Sequence, residues 1–365
     1  MNVLQILPEL NAGGVERTVL ETAEALTAAG HGAHVLSAGG RLVPDLEALG
    51  GVHPLGQIGS KNLLSIPWRI AGVRRLIADQ KIDIVHARSR APAWPAFYAA
   101  RAENTAFVTT YHGIYNARSA PKRFYNSIMS KGEVVIANSN FTCEHIIREH
   151  GTDPDRIKII PRGVDMTLFD PARFEQADIR SRRKVWSVPD DAILILLPGR
   201  LTRWKGQTVA INALAQLDPK YHLVLLGDAQ GRDAYLSVLK TQAEQLGLSS
   251  RVHFPGHDAD VAVAYLAAEI IICPSTDPEA FGRTAAEAQA MERPVIASDH
   301  GGAIEVVDHG KTGWRVPPGD AAALANAILR SDELENVKGA RARIGSKFSK
   351  TALQTALMEL YNELI

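Results

Sequence analysis

A chain of 365 residues is too long for one ordinary hydrophobic core and fits two domains of roughly 150 to 200 residues each, which implies a cleft between them. Lys plus Arg and Asp plus Glu balance at 40 each, so no global field draws the protein to nucleic acid, and any electrostatic steering has to come from local patches. The two cysteines, Cys143 and Cys273, lie far apart in apolar surroundings without Cys-x-x-Cys spacing, which makes a reducing cytosol the natural compartment.

Met1 to Leu10 has no basic n-region and breaks at Pro8, and nowhere does an uncharged apolar run approach the ~20 residues that span a bilayer. The expectation is a cytoplasmic protein whose membrane contact would be peripheral, at the cytoplasmic face of the inner membrane. Short apolar runs then alternate with longer amphipathic segments: Val3 to Leu7 and Val15 to Ala29; Ala33 to Leu36; Ile84 to His86 and Ala91 to Arg101; Phe107 to Thr110; Val134 to Ala137 and Asn140 to His150. This is the βαβ pattern of a parallel sheet with crossover helices. Turn formers dominate Pro161 to Pro171, so a hinge is expected near Gly163 to Pro171. The pattern then repeats through Ile193 to Leu197, Trp204 to Leu217, His222 to Leu226, Arg232 to Leu246, Ile270 to Cys273, Thr284 to Met291 and Pro294 to Ala297. Both halves read as doubly wound α/β domains, over 1–165 and 172–345. Beyond Pro317-Pro318-Gly319 the chain reads as helical, and a last helix of about 350–365 is apolar at Leu353, Ala356, Leu357, Leu360 and Tyr361, so it needs a surface to cover.

In open parallel sheets ligands bind beyond the carboxyl ends of the strands, so residues just after each apolar run come first as candidates. Arg200 and Lys205 follow Ile193 to Leu197 at a strand end and an expected helix start, where two fixed cations suit a diphosphate, although solvated loop charges would look the same. After Ile270 to Cys273 comes Pro278-Glu279-Ala280-Phe281-Gly282-Arg283-Thr284, opening a helix whose free N–H groups and partial positive charge suit a phosphate. Gly282 leaves room for close approach. Glu287, one turn in, could accept from both hydroxyls of a ribose, and Glu279 would face the sugar. Complementing the helix dipole is the competing explanation for either acid alone.

These residues carry a resemblance. Glu279 and Glu287 within Glu-x-Phe-Gly, with Gly-Arg-Leu-x-x-x-Lys-Gly at 199–206, resemble family-4 retaining glycosyltransferases of envelope or lipopolysaccharide-core type, whose architecture is called GT-B. The likeness covers nearly the whole chain, including Asn11-Ala-Gly-Gly-Val-Glu16, Thr110-Tyr-His-Gly113, Asn138-Ser139, Ile160-Pro-Arg-Gly-Val-Asp165, Leu226-Gly-Asp228 and Gly301-Gly-Ala-Ile-Glu305. It implies two Rossmann-like domains facing each other across a cleft, an acceptor-binding N-terminal domain completed by the final helix, and a donor-binding C-terminal domain. It implies that Arg200 and Lys205 hold the diphosphate of a nucleotide sugar, Glu287 the ribose and Glu279 the transferred sugar. Phe254, Pro255 and Gly256 would meet the base, and Gly13, Gly14, Gly199, Gly227, Ala280, Phe281, Gly282, Arg283 and Thr284 would complete the donor set. Two departures stand out: Gly-Gly-Ala-Ile-Glu replaces the frequent Gly-Gly-x-Pro-Glu, and Leu226-Gly-Asp-Ala-Gln-Gly231 shifts a glycine.

His112 should project from the end of the run Phe107 to Tyr111, and the resemblance sets it beside the anomeric carbon as a fourth catalytic residue with Arg200, Lys205 and Glu279. His86 is a second candidate. Asp258-Ala-Asp260 mimics a metal-chelating Asp-x-Asp but precedes the helical segment Val261 to Ala268, where Asp is a favoured N-cap, so no metal or other cofactor is expected. On the acceptor side, Arg88 and Arg90 could fork onto anionic groups, with Tyr111 and Lys122 nearby. The segment Arg118 to Lys131 alternates basic residues with Phe124, Tyr125, Ile128 and Met129, which suits either an anionic membrane surface or an amphipathic helix on the core. The resulting expectation is retaining transfer of a hexosyl or N-acetylhexosaminyl unit to an anionic lipid-linked glycan. A nucleotide-sugar epimerase of the same architecture and a silent nucleotide-sugar-binding scaffold are the alternatives, and a nicotinamide oxidoreductase ranks below them because neither first strand is followed by Gly-x-Gly-x-x-Gly.

Overall fold

Runs of Val, Ile and Leu bounded by turn formers become strands because a parallel strand covered by helices on both faces has no need of polar alternation. The computed structural model describes every residue except Ala12, Lys61, Asn116, Arg118 and Ala259. Ala12 of the glycine turn, Arg118 at the head of the basic segment and Ala259 between the two aspartates therefore lie outside the described residues.

The chain divides into two compact units, Met1–Gly163 with Lys350–Ile365, and Val164–Ser349. The first holds β1 (Asn2–Ile6), α1 (Gly14–Ala28), β2 (Gly32–Leu36), α2 (Val43–Ala48), α3 (Ile66–Gln80), β3 (Ile84–Ala87), α4 (Arg90–Ala102), β4 (Ala106–Tyr111), α5 (Ala120–Ser127), β5 (Val134–Ala137), α6 (Asn140–His150) and β6 (Ile157–Ile159). The second holds α7 (Gln176–Val185), β7 (Ile193–Pro198), α8 (Gln207–Leu214), β8 (Tyr221–Leu226), α9 (Asp233–Gln245), β9 (Val252–Gly256), α10 (Val261–Ala267), β10 (Ile270–Cys273), α11 (Arg283–Ala290), β11 (Val295–Ser298), α12 (Ala303–Val306), β12 (Gly313–Val316), α13 (Ala321–Leu329) and α14 (Ala340–Lys347). Among the described residues each unit has one six-stranded sheet, ordered β2-β1-β3-β4-β5-β6 and β12-β11-β10-β7-β8-β9. All strand pairs are parallel.

Strand order reverses beside β1 in the first sheet and between β7 and β10 in the second. At such a point consecutive connections leave toward opposite faces and open a crevice at the carboxyl ends of the strands. Apolar clusters fill both faces of each sheet: Leu4, Ile6, Val85 and Ala96 on one side of the first, Val3, Val35, Ile84 and Val108 on the other. In the second, Leu194, Leu196 and Ile271 pack on one face and Ile195, Leu197 and Ile272 on the other.

The last helix, α15 (Lys350–Glu363), belongs to the first unit. Its Leu353, Leu357, Leu360 and Tyr361 join Val19, Ala23 and Leu26 of α1 in one buried cluster. Tyr361 Oη lies 2.6 Å from His86 Nδ1, and Gln354 Nε2 donates to the Glu21 carbonyl at 2.8 Å. Two expected boundaries move. Gly206, at φ 75°, separates a 3-10 turn, Arg203–Lys205, from α8, so Lys205 precedes the helix by two residues and the helix does not begin at Trp204. The helical tail is broken between α13 and α14, where a 3-10 turn, Ser331–Glu333, is followed by an irregular stretch.

His222 Nδ1 and His253 Nε2 are 3.0 Å apart on neighbouring strands β8 and β9. Burial, and secondarily the His222 ring, push His253 from 6.5 down to about 4. Between those values the folded state binds fewer protons than the unfolded chain, so this contribution to stability is complete above pH 6.5 and drains away as pH falls toward 4. Thermal melts across that window should show Tm dropping with acidity, and His253→Asn should flatten the drop; an equally steep fall in the variant would assign the acid sensitivity elsewhere.

Candidate functional site

In the second unit the loops leaving β7 and β10, the two strands at the reversal, are tied together. Thr276 N–H donates to the Trp204 carbonyl at 2.7 Å. Lys205 Nζ meets Glu279 Oε1 at 2.8 Å, each side chain only 14% exposed, and Ser275 Oγ donates to the same Glu279 oxygen at 2.6 Å. The ammonium also stands 4.6 Å from the Trp204 ring centroid, a cation–π contact that further limits its position. Arg200 is exposed at the end of β7, where its carbonyl accepts from Gln207 Nε2 at 3.0 Å.

Glycines let these loops close on one another. A Cβ at Gly206 would lie 1.9 Å from the Pro274 carbonyl oxygen, and one at Gly227 would lie 2.0 Å from that of Gly199. Gly301 and Gly302 lie under the 279–281 backbone: their Cβ atoms would meet Glu279 O at 2.5 Å and Ala280 O at 2.4 Å, and Gly302 N–H donates to Glu279 O at 2.7 Å. These glycine contacts shape the turn that carries Ala303 and Ile304 in place of the frequent x-Pro.

α11 opens at Gly282 (φ 93°), without a side-chain cap, and the first intrahelical bond runs from Ala286 N–H to Gly282 O at 3.2 Å. The N–H groups of the opening turn consequently have no intrahelical acceptor and point along the helix axis with its positive pole. Phe281 is buried against Phe348, which anchors this end, while Ala280 and Thr284 are half-buried. Glu287 is held from two sides, by Arg283 Nε and Tyr265 Oη, both at 2.9 Å. Burial, and then the Glu287 charge, raise the Tyr265 pKa, so the phenol keeps its proton and donates. Phe254, Pro255 and Gly256 end the edge strand β9, two strands from β7, with Gly256 at φ 83°.

In the first unit the glycine turn caps α1, with Gly13 at φ 149° and no side-chain cap. His112 follows β4, and Arg162 Nη2 reaches both its Nδ1 (3.3 Å) and its carbonyl oxygen (3.1 Å). The His112 Nε2 is buried and has no hydrogen-bond partner among the described residues. Burial, then the Arg162 and Arg88 charges, lower the His112 pKa well below 6.5, so the ring is neutral at pH 7. Arg90 begins α4, donating from Nη1 to Asn126 Oδ1 at 2.8 Å, with its guanidinium 4.2 Å from the Tyr115 ring centroid.

Known proteins resemble this chain in sequence and in fold. Residues 12–168 match the family described as Glycosyltransferase Family 4, and residues 178–347 match Glycosyl transferases group 1. The D-inositol 3-phosphate glycosyltransferase of Xylanimonas cellulosilytica is 30% identical, over 96% of this chain and 92% of that protein. The chain belongs to glycosyltransferase family 4. A glycosyltransferase from Rickettsia africae superimposes on this one with a TM-score of 0.92 at 36% identity, covering 100% of this chain and 98% of the other. The crystal structure of Anabaena HepE in complex with UDP-glucose superimposes with a TM-score of 0.87 at 26% identity over 100% of both chains. The glycosyltransferase thus has the two-unit Rossmann-like GT-B fold.

Several sequence expectations change within this glycosyltransferase. Arg88 is not available to an acceptor: it is 2% exposed, bonded through Nε and Nη2 to Gln5 Oε1 (3.0 and 2.6 Å) and through Nη2 to Thr22 Oγ1 (2.7 Å). Tyr111 is likewise buried, its ring 4.8 Å from that of Tyr115. His86 spends both nitrogens inside the core, on Tyr361 Oη and on Thr110 Oγ1 at 2.7 Å, so it is structural. The basic–aromatic segment splits: Lys122, Arg123, Phe124 and Tyr125 are exposed, whereas Ile128 and Met129 lie in the core. Asp260 occupies the N-cap position of α10 without a side-chain cap bond, while Asp258 is paired with Arg182 and accepts from Asp260 N–H at 3.0 Å. Gly282 also serves a left-handed turn and close packing on Ala303 (3.0 Å from its Cβ position to Cα). Ser275, Tyr265 and Arg162 were not singled out from sequence, although Ser275 and Arg162 both follow strand ends and the strand-end rule extends to them.

Gly302→Ala should push the 279–281 backbone off its seat while leaving both sheets intact. The expected result is a loss of transferase activity of about tenfold or more from misplaced loop groups, with circular dichroism unchanged; near-normal turnover would show that the close glycine contact is not needed to hold the loop.

Proposed function

We propose that this glycosyltransferase moves a hexosyl or N-acetylhexosaminyl unit, with retention of configuration, from a nucleotide-diphospho-sugar to an anionic glycan acceptor. The observation that carries the donor reading is the convergence at one strand reversal of Arg200, the Lys205–Glu279 pair and the open start of α11, which together present positive charge and directed N–H groups. The likeness to HepE solved with UDP-glucose supports a nucleotide sugar as the ligand of such a site. As the diphosphate departs, Arg200 and Lys205 stabilise its growing charge, and Glu279 keeps the ammonium from folding away between turnovers. Glu287, preset by Arg283 and Tyr265, offers a carboxylate to the ribose hydroxyls. His112 is neutral and presents Nε2–H to a substrate oxygen. In this scheme the cationic side chains and the helix N-terminus carry the leaving-group charge, so turnover needs no metal and survives EDTA.

Lys205→Ala removes a donor aimed at developing charge, worth roughly 3 to 4 kcal/mol of barrier, so turnover should fall about a hundredfold or more. A loss below about threefold would overturn the assignment. Thermal shift against UDP-, GDP- and ADP-sugars identifies the donor, since a ligand at about a hundred times its Kd adds ~2.7 kcal/mol of stability. Proton NMR of the first-formed product reads the anomeric configuration, and an inverted product would sink the retaining mechanism.

The acceptor reading rests on Arg90, fixed by Asn126 and Tyr115, and on the surface around α5 and α3. There Phe124 is 68% and Trp68 74% exposed, and the sequence carries no Asp or Glu across 48–78 or 104–132. A surface bearing exposed aromatic rings, lysine and arginines, whose nearby acids Asp79 and Glu103 are paired with Arg75 and Arg74, suits a lipid-linked, anionic envelope saccharide such as lipopolysaccharide core, presented at an anionic membrane. The name of the Xylanimonas relative also puts an anion on its acceptor. Arg90→Ala is expected to raise KM for an anionic acceptor about tenfold or more while donor hydrolysis stays intact. Co-sedimentation with phosphatidylglycerol vesicles should be lost in Trp68→Ser with Phe124→Ser; unchanged acceptor kinetics and binding in these variants would refute this half of the proposal.

A further inference from the structure

Arg162 stands in the loop that follows β6 and meets His112, which follows β4. Its Nη1 occupies the space a side chain at position 14 would take: a Cβ on Gly14 would lie 2.0 Å from that nitrogen. The second glycine of the turn before α1 is therefore needed to admit a guanidinium, which a structural reading of the turn does not explain. A guanidinium carries only N–H groups, so in its 3.3 Å contact with His112 Nδ1 it donates and the imidazole nitrogen accepts. The same nitrogen of Arg162 also reaches the His112 carbonyl at 3.1 Å, which fixes the guanidinium against the backbone that carries the ring.

A neutral imidazole with Nδ1 accepting must bear its proton on Nε2. That nitrogen is the one buried without a hydrogen-bond partner among the described residues. A buried N–H left without an acceptor is costly, so an arrangement that enforces one points to an acceptor supplied by a ligand. We infer that Arg162 is a positioning residue of this glycosyltransferase, selecting the His112 tautomer that donates from Nε2 to an oxygen of the substrate. The inference deepens the role proposed for His112 and rests on it. The ionisable groups around the ring are Arg162 after β6, Arg88 and His86 from β3 and its end, and Tyr115 beyond His112 itself. Burial chiefly opposes protonation of the ring and the two guanidinium charges add to it, so Arg162 helps to hold it neutral as well as oriented.

The test is ring nitrogen-15 NMR of histidine-labelled full-length protein, with the His112 signals assigned from their disappearance in His112→Gln. The wild type should show Nδ1 as the unprotonated nitrogen. Arg162→Met should mix in the Nδ1–H form, lower kcat/KM about tenfold, and shift the acid limb of the pH–rate profile upward, because the ring gains a proton more easily once a neighbouring positive charge is gone. Arg162→Lys, which keeps a charge and a donor, should recover part of both effects, and thermal melts confirm that each variant is folded. The double variant Arg162→Met with His112→Gln should be no slower than His112→Gln alone. An unchanged tautomer in Arg162→Met, or losses that simply add in the double variant, would overturn the inference. Should His112→Gln leave turnover intact while the tautomer still follows Arg162, the catalytic role of His112 fails and the positioning contact stands.

Discussion

The ion pair between Lys205 and Glu279 is the constraint around which the second unit's site is arranged. It joins two loops that leave adjacent strands, β7 and β10, at the one place in that sheet where the connections diverge. Removing most of the water from an ammonium and a carboxylate is costly, and the Coulomb attraction offsets that cost only when the remaining hydrogen-bonding capacity is also used. Ser275 takes part of the carboxylate's capacity and the Trp204 ring faces the ammonium. The backbone then has to come close enough for those side chains to meet. Gly206 against Pro274, Gly227 against Gly199, and Gly301 and Gly302 against the 279–280 backbone are the places where a methyl group would hold it apart. The charged pair and the glycines are thus two halves of one device.

Most of the architecture was legible because parallel strands buried on both faces read as plain apolar runs. Ile193 to Leu197 and Ile270 to Cys273 fell where strands stand, and Asn140 to His150 matched a helix bounded by Ser139 as cap and Gly151 as stop. What was hidden depends on partners remote in sequence. Lys205 and Glu279 were assigned separate tasks, since no local pattern says that residues 74 positions apart share a hydrogen bond. The break at Gly206 was missed for a related reason. A left-handed glycine between a 3-10 turn and a helix leaves the apolar periodicity of the following segment untouched.

Arg88 shows the same limit from the other side. An arginine just past a strand end has the sequence signature of a binding residue, yet this one lies inward. Its guanidinium is spent on the oxygens of Gln5 in β1, Thr22 in α1 and Thr110 in β4, with the Glu21 charge opposing its desolvation. Through Thr110 the network reaches His86, and through His86 it reaches Tyr361. Arg90, two residues on, kept its place near the surface because Tyr115 and Asn126 hold it at the helix start. Arginines of similar sequence context were separated by neighbours from four different elements, which only the fold brings together.

The membership of α15 in the first unit also sets an order of events during synthesis. The second unit is contiguous in the chain, but the first has a core that includes Leu353, Leu357, Leu360 and Tyr361. A nascent chain that has already delivered Met1 to Gly163 must wait for about 200 further residues, on the order of 10 to 40 s at cellular elongation rates, before that core can close. During that interval the apolar face of α1 and the ring of His86 stand without their final cover. The unit encoded first is therefore the one completed last, and the ribosome, rather than the intrinsic folding rate, times its assembly.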